Sequence, residues 1–176
     1  MTLATDTPEI RVKKALIARM KSVFGDDRRR IDHAMNVLGY AESIMDSSPG
    51  VCPLVVRAAA ILHDIGIPAA ERKHGSSSGR YQEIEGPPIA REILEGMNID
   101  APAIDHICRI VANHHSARDI DTPEFRIIWD ADWLVNIPDE YDISDSKCMS
   151  ELIDLKKVFK TQKGRTIANE LFLRKD

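Results

Sequence analysis

The segment AAAILHDIG, residues 58–66, ends an apolar run with an imidazole and a carboxylate side by side. Together with the preceding PLVVR it predicts a helix over residues 53–65, whose apolar side chains cover nearly the whole circumference. Pro53 suits the first turn of this helix, and Gly66 stands where a left-handed residue commonly ends one. We therefore expect a central helix that is buried on most sides.

Asp64 is the residue of this segment that most needs a partner, because an ionised carboxylate is costly to bury alone. In one interpretation it forms a salt bridge with Arg57, seven residues earlier on the same side of the helix, and His63 is hydrogen-bonded within the core. In the other interpretation both side chains bind a metal ion. A single His-Asp pair does not distinguish the two.

Composition places the chain among ordinary globular proteins and excludes several classes. With 176 residues, 43% hydrophobic and 30% charged, residues 1–176 are expected to form one domain. No apolar run approaches the roughly 20 residues of a membrane span, and the first residues lack a secretory pattern, so we expect a cytoplasmic protein. A net charge of −4 argues against a nucleic-acid-binding surface. Three widely spaced cysteines are typical of reduced thiols.

Apolar residues at helical spacing predict an all-α bundle. Residues 67–85, which contain Pro68, Gly75 and three serines, are instead expected to form an irregular loop that could cover a pocket. Pro87 and Pro88 are expected in the first turn of the helix that follows this loop. The predicted helices, besides the central one, cover residues 8–24, 27–46, 86–97, 103–115 and 127–136, with two more around 152–159 and 167–172.

Three histidines stand on the inner faces or margins of these helices. His33 lies at the edge of the apolar arc of helix 27–46, and His114 and His115 both fall within the arc of helix 103–115, whereas His106 falls outside it. Each could be a semi-buried histidine bonded to a carbonyl group. Two consecutive inward histidines at a helix end are nevertheless better explained by metal or phosphate chemistry.

Asp132 is predicted to face inward on helix 127–136, where it lies between Ile128 and Val135. Asp130 points away from that face, although in a strand the two carboxylates would share one. Asn136 follows Asp132 by one turn and could orient its carboxylate or contact a ligand. Helical geometry therefore selects Asp132 as the candidate functional carboxylate.

These inward side chains form a mixed nitrogen and oxygen set drawn from four successive helices. Imidazoles together with carboxylates suit a divalent ion with open water positions, and not a closed thiolate zinc site. Such an ion polarises a phosphoryl oxygen and lowers the pKa of bound water. The ligand types select poorly among Mn, Fe, Co, Ni, Zn and Mg, so the identity of the metal stays open.

The order His, then His-Asp, then Asp resembles the HD superfamily of metal-dependent phosphohydrolases over roughly residues 28–137. The strongest pieces are AILHDIG at 60–66 and Ala131-Asp132-x-Leu134-x-Asn136, which is similar to the Ala-Asp-Arg-Leu-His-Asn segment of the family's guanosine-tetraphosphate hydrolases. The resemblance implies a single-domain helical bundle of five or more helices. It also implies a single-metal ligand set, consisting of His33, His63, Asp64 and Asp132.

By the same resemblance, the protein hydrolyses a phosphomonoester or phosphodiester, such as a nucleotide or a related small molecule, through a metal-activated water that Asp64 orients. His114 and His115 would contact the phosphate or pass a proton to the leaving oxygen. Arg29 and Arg30, near His33, would bind substrate together with Asn136.

The chain also departs from the family's two-metal members. These commonly carry Lys and His at the positions that hold Ile67 and Gln82 here, while His114 and His115 match their paired histidines. His74, Glu83 and Glu85 could replace the missing ligands or could lie at a solvated loop edge. Two alternatives to the phosphohydrolase stay open, a di-iron oxygenase of the HD type and a non-catalytic module that binds metal or nucleotide.

Overall fold

The computed structural model of the protein describes residues 7–155 and 158–173, and within them it contains helices and no strand. The all-α prediction is thereby confirmed. All three cysteines are free, as expected. The α-helices are α1 (Pro8–Phe24), α2 (Arg28–Met45), α3 (Pro53–Leu62), α4 (Ile67–His74), α5 (Gly79–Glu95), α6 (Ala101–Val111), α7 (Pro123–Glu140), α8 (Ser146–Ser150) and α9 (Gln162–Phe172).

Helix α3 lies at the centre of the bundle, where it contacts α1, α2, α6 and α7. Most of its residues are buried, which confirms the burial expected from its apolar circumference. By length and composition the stretch Pro53–His74 is apolar enough to span a membrane, contrary to expectation, but 72% of its most apolar 18-residue window is buried in the protein, as in many core helices. A helix with neighbours on all sides holds the residues that follow it in a defined position.

The prediction of an irregular loop over residues 67–85 is wrong. The segment forms α4 and the start of α5, and only residues 75–78 connect the two helices. Gly75 takes the left-handed conformation, with φ of 65°, and ends α4. Because α5 already begins at Gly79, Pro87 and Pro88 lie inside it and not in its first turn, where they remove two backbone donors.

Gly66 also differs from its predicted role, because its backbone is right-handed, with φ of −76°. What it provides is a close approach between α5 and the turn after α3. A Cβ atom at Gly66 would lie 2.6 Å from the backbone nitrogen of Gly86. This contact brings α5 against the end of α3 and so against His63 and Asp64.

The C-terminal region packs on α7 and differs in detail from the two helices predicted there. Residues 146–155 form α8 and a π-helical turn, Glu151–Leu155, while Val158, Phe159 and Lys160 are not helical. Residues 156 and 157 of the predicted helix 152–159 lie outside the described residues. Helix α9 then contains the second predicted helix.

Candidate metal centre

Four elements bring five inward side chains together at one end of α3. His33 projects from α2 and Asp132 from α7, while His63 and Asp64 occupy the turn just after the last residue of α3. His114 lies in the turn after α6, which ends at Val111 and not at residue 115 as predicted. Functional side chains therefore come from two helix faces and two helix ends.

The first group of side chains is centred on the Nε2 atom of His33. This atom lies 3.0 Å from Asp132 Oδ1, 3.1 Å from His63 Nε2 and 3.5 Å from Asp64 Oδ2. His63 Nε2 in turn lies 3.5 Å from Asp64 Oδ2 and 3.6 Å from Asp132 Oδ1. Two imidazole nitrogens and two carboxylates thus converge within hydrogen-bonding distance or just beyond it.

Backbone carbonyls orient two of the imidazoles. His63 Nδ1 lies 2.9 Å from the carbonyl oxygen of Ala60, and His114 Nδ1 lies 2.8 Å from that of Val111. Because a carbonyl only accepts, Nδ1 carries the hydrogen in both rings and Nε2 keeps its lone pair when the ring is neutral. Such an arrangement is usual for metal-binding histidines, whose second nitrogen is held by an outer partner.

Asp64 lies between the first group and a second group formed by His114 and His115. Its Oδ1 atom is 3.3 Å from the buried Nε2 atom of His114, which makes no well-formed hydrogen bond within the described residues. Ligand atoms of His33, His63 and Asp64 lie within 4.8 Å of one another, as do those of Asp64, His114 and His115. The donor set and this nitrogen fit a divalent cation, which His33, His63, Asp64 and Asp132 would hold first.

The mutual electrostatics of the cluster show that it requires positive charge. Burial by itself lowers the pKa of His63, but the carboxylates of Asp64 and Asp132 outweigh it and raise that pKa to about 9. Burial likewise tends to raise the pKa of both carboxyl groups, yet His63, with His114 beside Asp64 and His33 beside Asp132, holds them well below their usual range. A proton on His63 therefore occupies the place of a cation.

Asp130 and Asn136 behave as the phase of α7 predicts. Asn136 Nδ2 donates to Asp132 Oδ1 over 2.9 Å and so orients that carboxylate. Asp130 faces away from the cluster but is fully buried. It accepts hydrogen bonds from Lys160 and Thr161, so its carboxylate is not left without partners. Burial raises the pKa of Asp130 to about 6, against the effect of these donors.

The salt bridge considered between Arg57 and Asp64 is contradicted. Arg57 binds Glu42 on α2, at 2.9 Å, and Glu9 on α1, at 3.3 Å. These carboxylates are near the opposite end of α3 from its final turn. Among the described residues, the partners of Asp64 are therefore imidazoles and not a guanidinium group.

His115 is more exposed than the predicted inward pair implied, and its ring packs beside that of His114, with centroids 4.0 Å apart. Burial of the ring and the neighbouring His114 lower the pKa of His115 to about 4. Gln82 and Glu83, on α5, bond to its ring and backbone. The contact of Gln82 with His115 was not predicted, because residues 67–85 were expected to be irregular. A helical interpretation of this segment would have placed Gln82 and Glu83 one turn after Gly79, on the same face of the helix.

His74 and Glu85 do not join the cluster and instead bind each other. His74 Nε2 lies 3.0 Å from Glu85 Oε1, and Lys73 Nζ lies 2.5 Å from Glu85 Oε2. The geometry therefore does not support His74 and Glu85 as substitute metal ligands. Glu83 is likewise engaged, with the backbone of His115 and Ser116.

The cluster opens into a cavity of about 580 Å³ between α2, α5 and α7. Arg29, Arg30 and Asn136 line it, as do the unforeseen Asp139 and Glu140. Arg29 is largely exposed and lies 3.8 Å from Asp139, whereas Arg30 is engaged at 2.5 Å by Glu71. Only Arg29 of the two predicted phosphate ligands is thus held loosely.

A smaller cavity of about 170 Å³ adjoins the first and shares His115, Asp132, Asn136 and Glu140 with it. Trp129 and Trp133 also line it. The two tryptophans are four residues apart and stand on either side of Asp130 and Asp132. This spacing was the signal in the sequence that one face of α7 carries aromatic side chains to the site. The two cavities meet at the ligand cluster.

Comparison with known proteins agrees with the fold. The family model of the HD domain matches residues 30–137. A crystal structure of a protein described as a predicted HD superfamily hydrolase, from an uncultured Thermotogales bacterium, superposes with a TM-score of 0.65 at 23% identity. The alignment covers 89% of this chain and 83% of that one, and at this identity it supports the fold alone. No significant match was found among curated proteins. Since the matched region is more than half of the chain and contains all four residues of the predicted ligand set, the chain belongs to the HD domain family.

Proposed function

We propose that the protein is a metal-dependent phosphohydrolase that cleaves a phosphomonoester or phosphodiester of a nucleotide or a related small molecule. The observation that carries this proposal is the convergence of His33, His63, Asp64 and Asp132 at the floor of a cavity large enough for such a ligand. A bound divalent ion supplies Lewis acidity and a water of lowered pKa at this place.

Asp64 is positioned to orient the attacking water. Its two carboxylate oxygens face different partners, Oδ2 the histidines of the first group and Oδ1 His114. A carboxylate held ionised in this way accepts a hydrogen from water and aligns the oxygen lone pair. His114 and His115 stand on the far side of Asp64, where an imidazole contacts the phosphate or transfers a proton to the leaving oxygen.

Arg29 is the stronger candidate for a direct contact with the phosphate. Its ion pair with Asp139 is long and exposed, and such pairs contribute little and are readily exchanged. Arg30 would have to leave the carboxylate of Glu71 first. We therefore assign Arg30 to the wall of the cavity and Arg29 to its substrate-facing rim.

A matched pair of histidine variants tests the proposal. His63→Ala removes a ligand, whereas His106→Ala removes a histidine of α6 that bonds to Thr122 outside the cluster. The measurements are the metal content of the purified proteins and a hydrolysis screen over nucleotides and 4-nitrophenyl phosphate. We expect His63→Ala to lose both metal and turnover while His106→Ala keeps both. Retention of metal by folded His63→Ala would contradict the ligand assignment, and metal binding without hydrolysis of any phosphoester would favour a non-catalytic module.

One observation favours a di-iron oxygenase as the second candidate. Asp64 is shared between two groups of ligand atoms, as a carboxylate that bridges two ions would be. Two irons per chain and oxygen uptake with an organic substrate would support it. One ion per chain and phosphate release would support the hydrolase.

A further inference from the structure

We propose that Gln82 is a positioning residue that holds His115 in its Nε2–H tautomer, so that Nδ1 is the ring nitrogen through which His115 acts. His63 and His114 act through Nε2 instead. The proposal concerns the hydrogen-bond geometry around His115, and only its catalytic consequence rests on the proposed function.

A short chain of hydrogen bonds determines the direction of donation. The side-chain amide nitrogen of Gln82 lies 2.8 Å from the carbonyl oxygen of Ser77, which can only accept. The amide group therefore turns its Oε1 atom toward His115, whose Nε2 lies 3.2 Å away. Since Oε1 is an acceptor, Nε2 of His115 must donate. A neutral ring then carries its single lone pair on Nδ1.

The same helix holds His115 at two further points. Glu83 Oε1 accepts the backbone N–H groups of His115, at 3.0 Å, and Ser116, at 2.8 Å. The ring also packs flush on the backbone of α5 at Gly79, where a Cβ atom would lie 2.7 Å from the Cγ atom of His115. Both the ring plane and the main chain of His115 are thereby defined by α5.

The connection between α4 and α5 is itself braced, which gives Gln82 a stable base. Glu85 on α5 binds both Lys73 and His74 at the end of α4. His74 stacks on Tyr81 with ring centroids 4.2 Å apart and ring planes 4° from parallel. The carbonyl group of Ser77 lies in the connection that these contacts hold.

The consequence is that two neighbouring histidines keep their lone pairs on different ring nitrogens, Nε2 in His114 and Nδ1 in His115. A ligand atom of His115 lies within 4.8 Å of those of Asp64 and His114. With Nε2 engaged by Gln82, the atom available to bind a cation or accept a proton is Nδ1. Its position close to the main chain gives it little freedom, so the contacts from α5 determine where it stands.

The experiment is a long-range ¹H–¹⁵N spectrum of the full chain, loaded with diamagnetic Zn²⁺ at pH 8, where an ordinary imidazole with a pKa of about 6.5 is neutral. The coupling pattern of the ring protons distinguishes the two tautomers. We expect Nε2–H for His115, assigned with His115→Asn, and Nδ1–H for His63 and His114. An Nδ1–H pattern at His115 in the wild-type protein would overturn the proposal.

Three variants separate positioning from a merely structural effect. Gln82→Leu removes the acceptor and should move His115 away from pure Nε2–H, with kcat about tenfold lower and bound zinc unchanged. Gln82→Glu keeps an acceptor and should retain Nε2–H, while Gln162→Leu, the same change as Gln82→Leu at an exposed position of α9, should alter neither the spectrum nor turnover. A Gln82→Leu protein whose His115 stays Nε2–H would refute the assignment. If the wild type shows Nε2–H but hydrolyses no phosphoester, the proposed function fails and the tautomer stands.

Discussion

Two of the buried carboxylates of helix α7, Asp130 and Asp132, lie two residues apart and have opposite surroundings. Asp132 faces the imidazoles of His33 and His63. Asp130 faces the C-terminal segment, where Oδ1 accepts the N–H of Lys160 at 2.7 Å and Oδ2 accepts both the N–H and the hydroxyl group of Thr161. Burial alone therefore does not identify a functional carboxylate.

What distinguishes the two is whether their partners can be exchanged. Imidazole nitrogens can release a proton and bind a cation in its place, whereas backbone N–H groups cannot be titrated or displaced by a metal. The side of α7 that carries Asp130 also packs closely on the C-terminal segment, because a Cβ atom at Gly164 would lie 2.8 Å from the Cβ of Asp130. Trp129 lines the smaller cavity and also contacts this segment, because its Nε1 donates to the carbonyl oxygen of Val158. One face of α7 thus carries the candidate ligand Asp132, and the other contacts the C-terminal segment through Asp130.

The largest effect is expected from Asp132→Asn. The amide keeps the shape of the side chain but removes the negative charge from the ligand set, so turnover should fall about 100-fold or more and metal affinity about 10- to 100-fold. Metal titration and kcat/KM on the substrate found by screening measure both. Native values for both would break the distinction between the two faces.

Asp130→Asn should have the reverse profile. Its amide cannot accept all three hydrogen bonds, so the free energy of unfolding should fall by about 2–4 kcal/mol while metal binding stays native. Denaturant unfolding measures the loss, and Asp139→Asn, an exposed residue on the same helix, serves as the stability control. A large loss of bound metal in folded Asp130→Asn would place that residue with the ligands.

The stability of the metal-free protein should depend on pH through His63. Its folded-state pKa of about 9 lies above the unfolded value of about 6.5, so its contribution is complete below pH 6.5 and disappears as the pH rises through 9. The loss should be on the order of 2–3 kcal/mol, visible as a Tm several degrees lower at pH 9.5 than at pH 6.5. Metal should abolish this dependence, because it takes the place of the proton.

The other face of α7 provides the control for that pH experiment. The pKa of Asp130 is also raised, to about 6, so its contribution decreases as the pH rises through 6. This change should persist in the metal-loaded protein and disappear in Asp130→Asn. Loss of both transitions on metal loading would show that the two faces are coupled.

The smallest effect is expected where Arg29 of α2 meets the exposed end of α7 at Asp139. Arg29→Ala removes the proposed contact with the phosphate, so the KM for a phosphoester should rise about two- to fivefold with kcat unchanged. Within the protein it breaks only the long contact with Asp139, so stability should also be unchanged. Arg30→Ala removes the contacts with Glu71 and Asp27 and should lower stability by about 1 kcal/mol or less. The opposite ranking in KM would make Arg30 the phosphate ligand.

Several features were predictable because they depend on local periodicity. The burial of α3 and the inward phase of Asp132, with Asp130 opposed to it, follow from apolar residues at helical spacing. His33 was placed at a helix margin in the same way. Each of these statements requires only the angular position of side chains around one helix axis, which follows from the sequence of that helix.

Other features depend on neighbours that sequence spacing does not reveal. Residues 67–85 look irregular by composition, but they form two helices. The close approach of Gly66 to Gly86 and the pairing of Glu85 with His74 hold these helices against each other and against the end of α3. The side chain of Arg57 is long enough to reach several carboxylates. Because α2 packs on α3, Glu42 lies within its reach, and Arg57 binds Glu42 instead of Asp64. Partner choice of this kind is a tertiary property.

The amino-acid sequence by itself determined the helical class, the central buried helix and membership of the HD domain family. Tertiary structure alone decided that Asp64 stands between two groups of histidines and that Gln82 bonds to His115. The physical reason is that helix phase follows from 3.6-residue periodicity along one segment, whereas distances of about 3 Å between side chains depend on how separate segments pack.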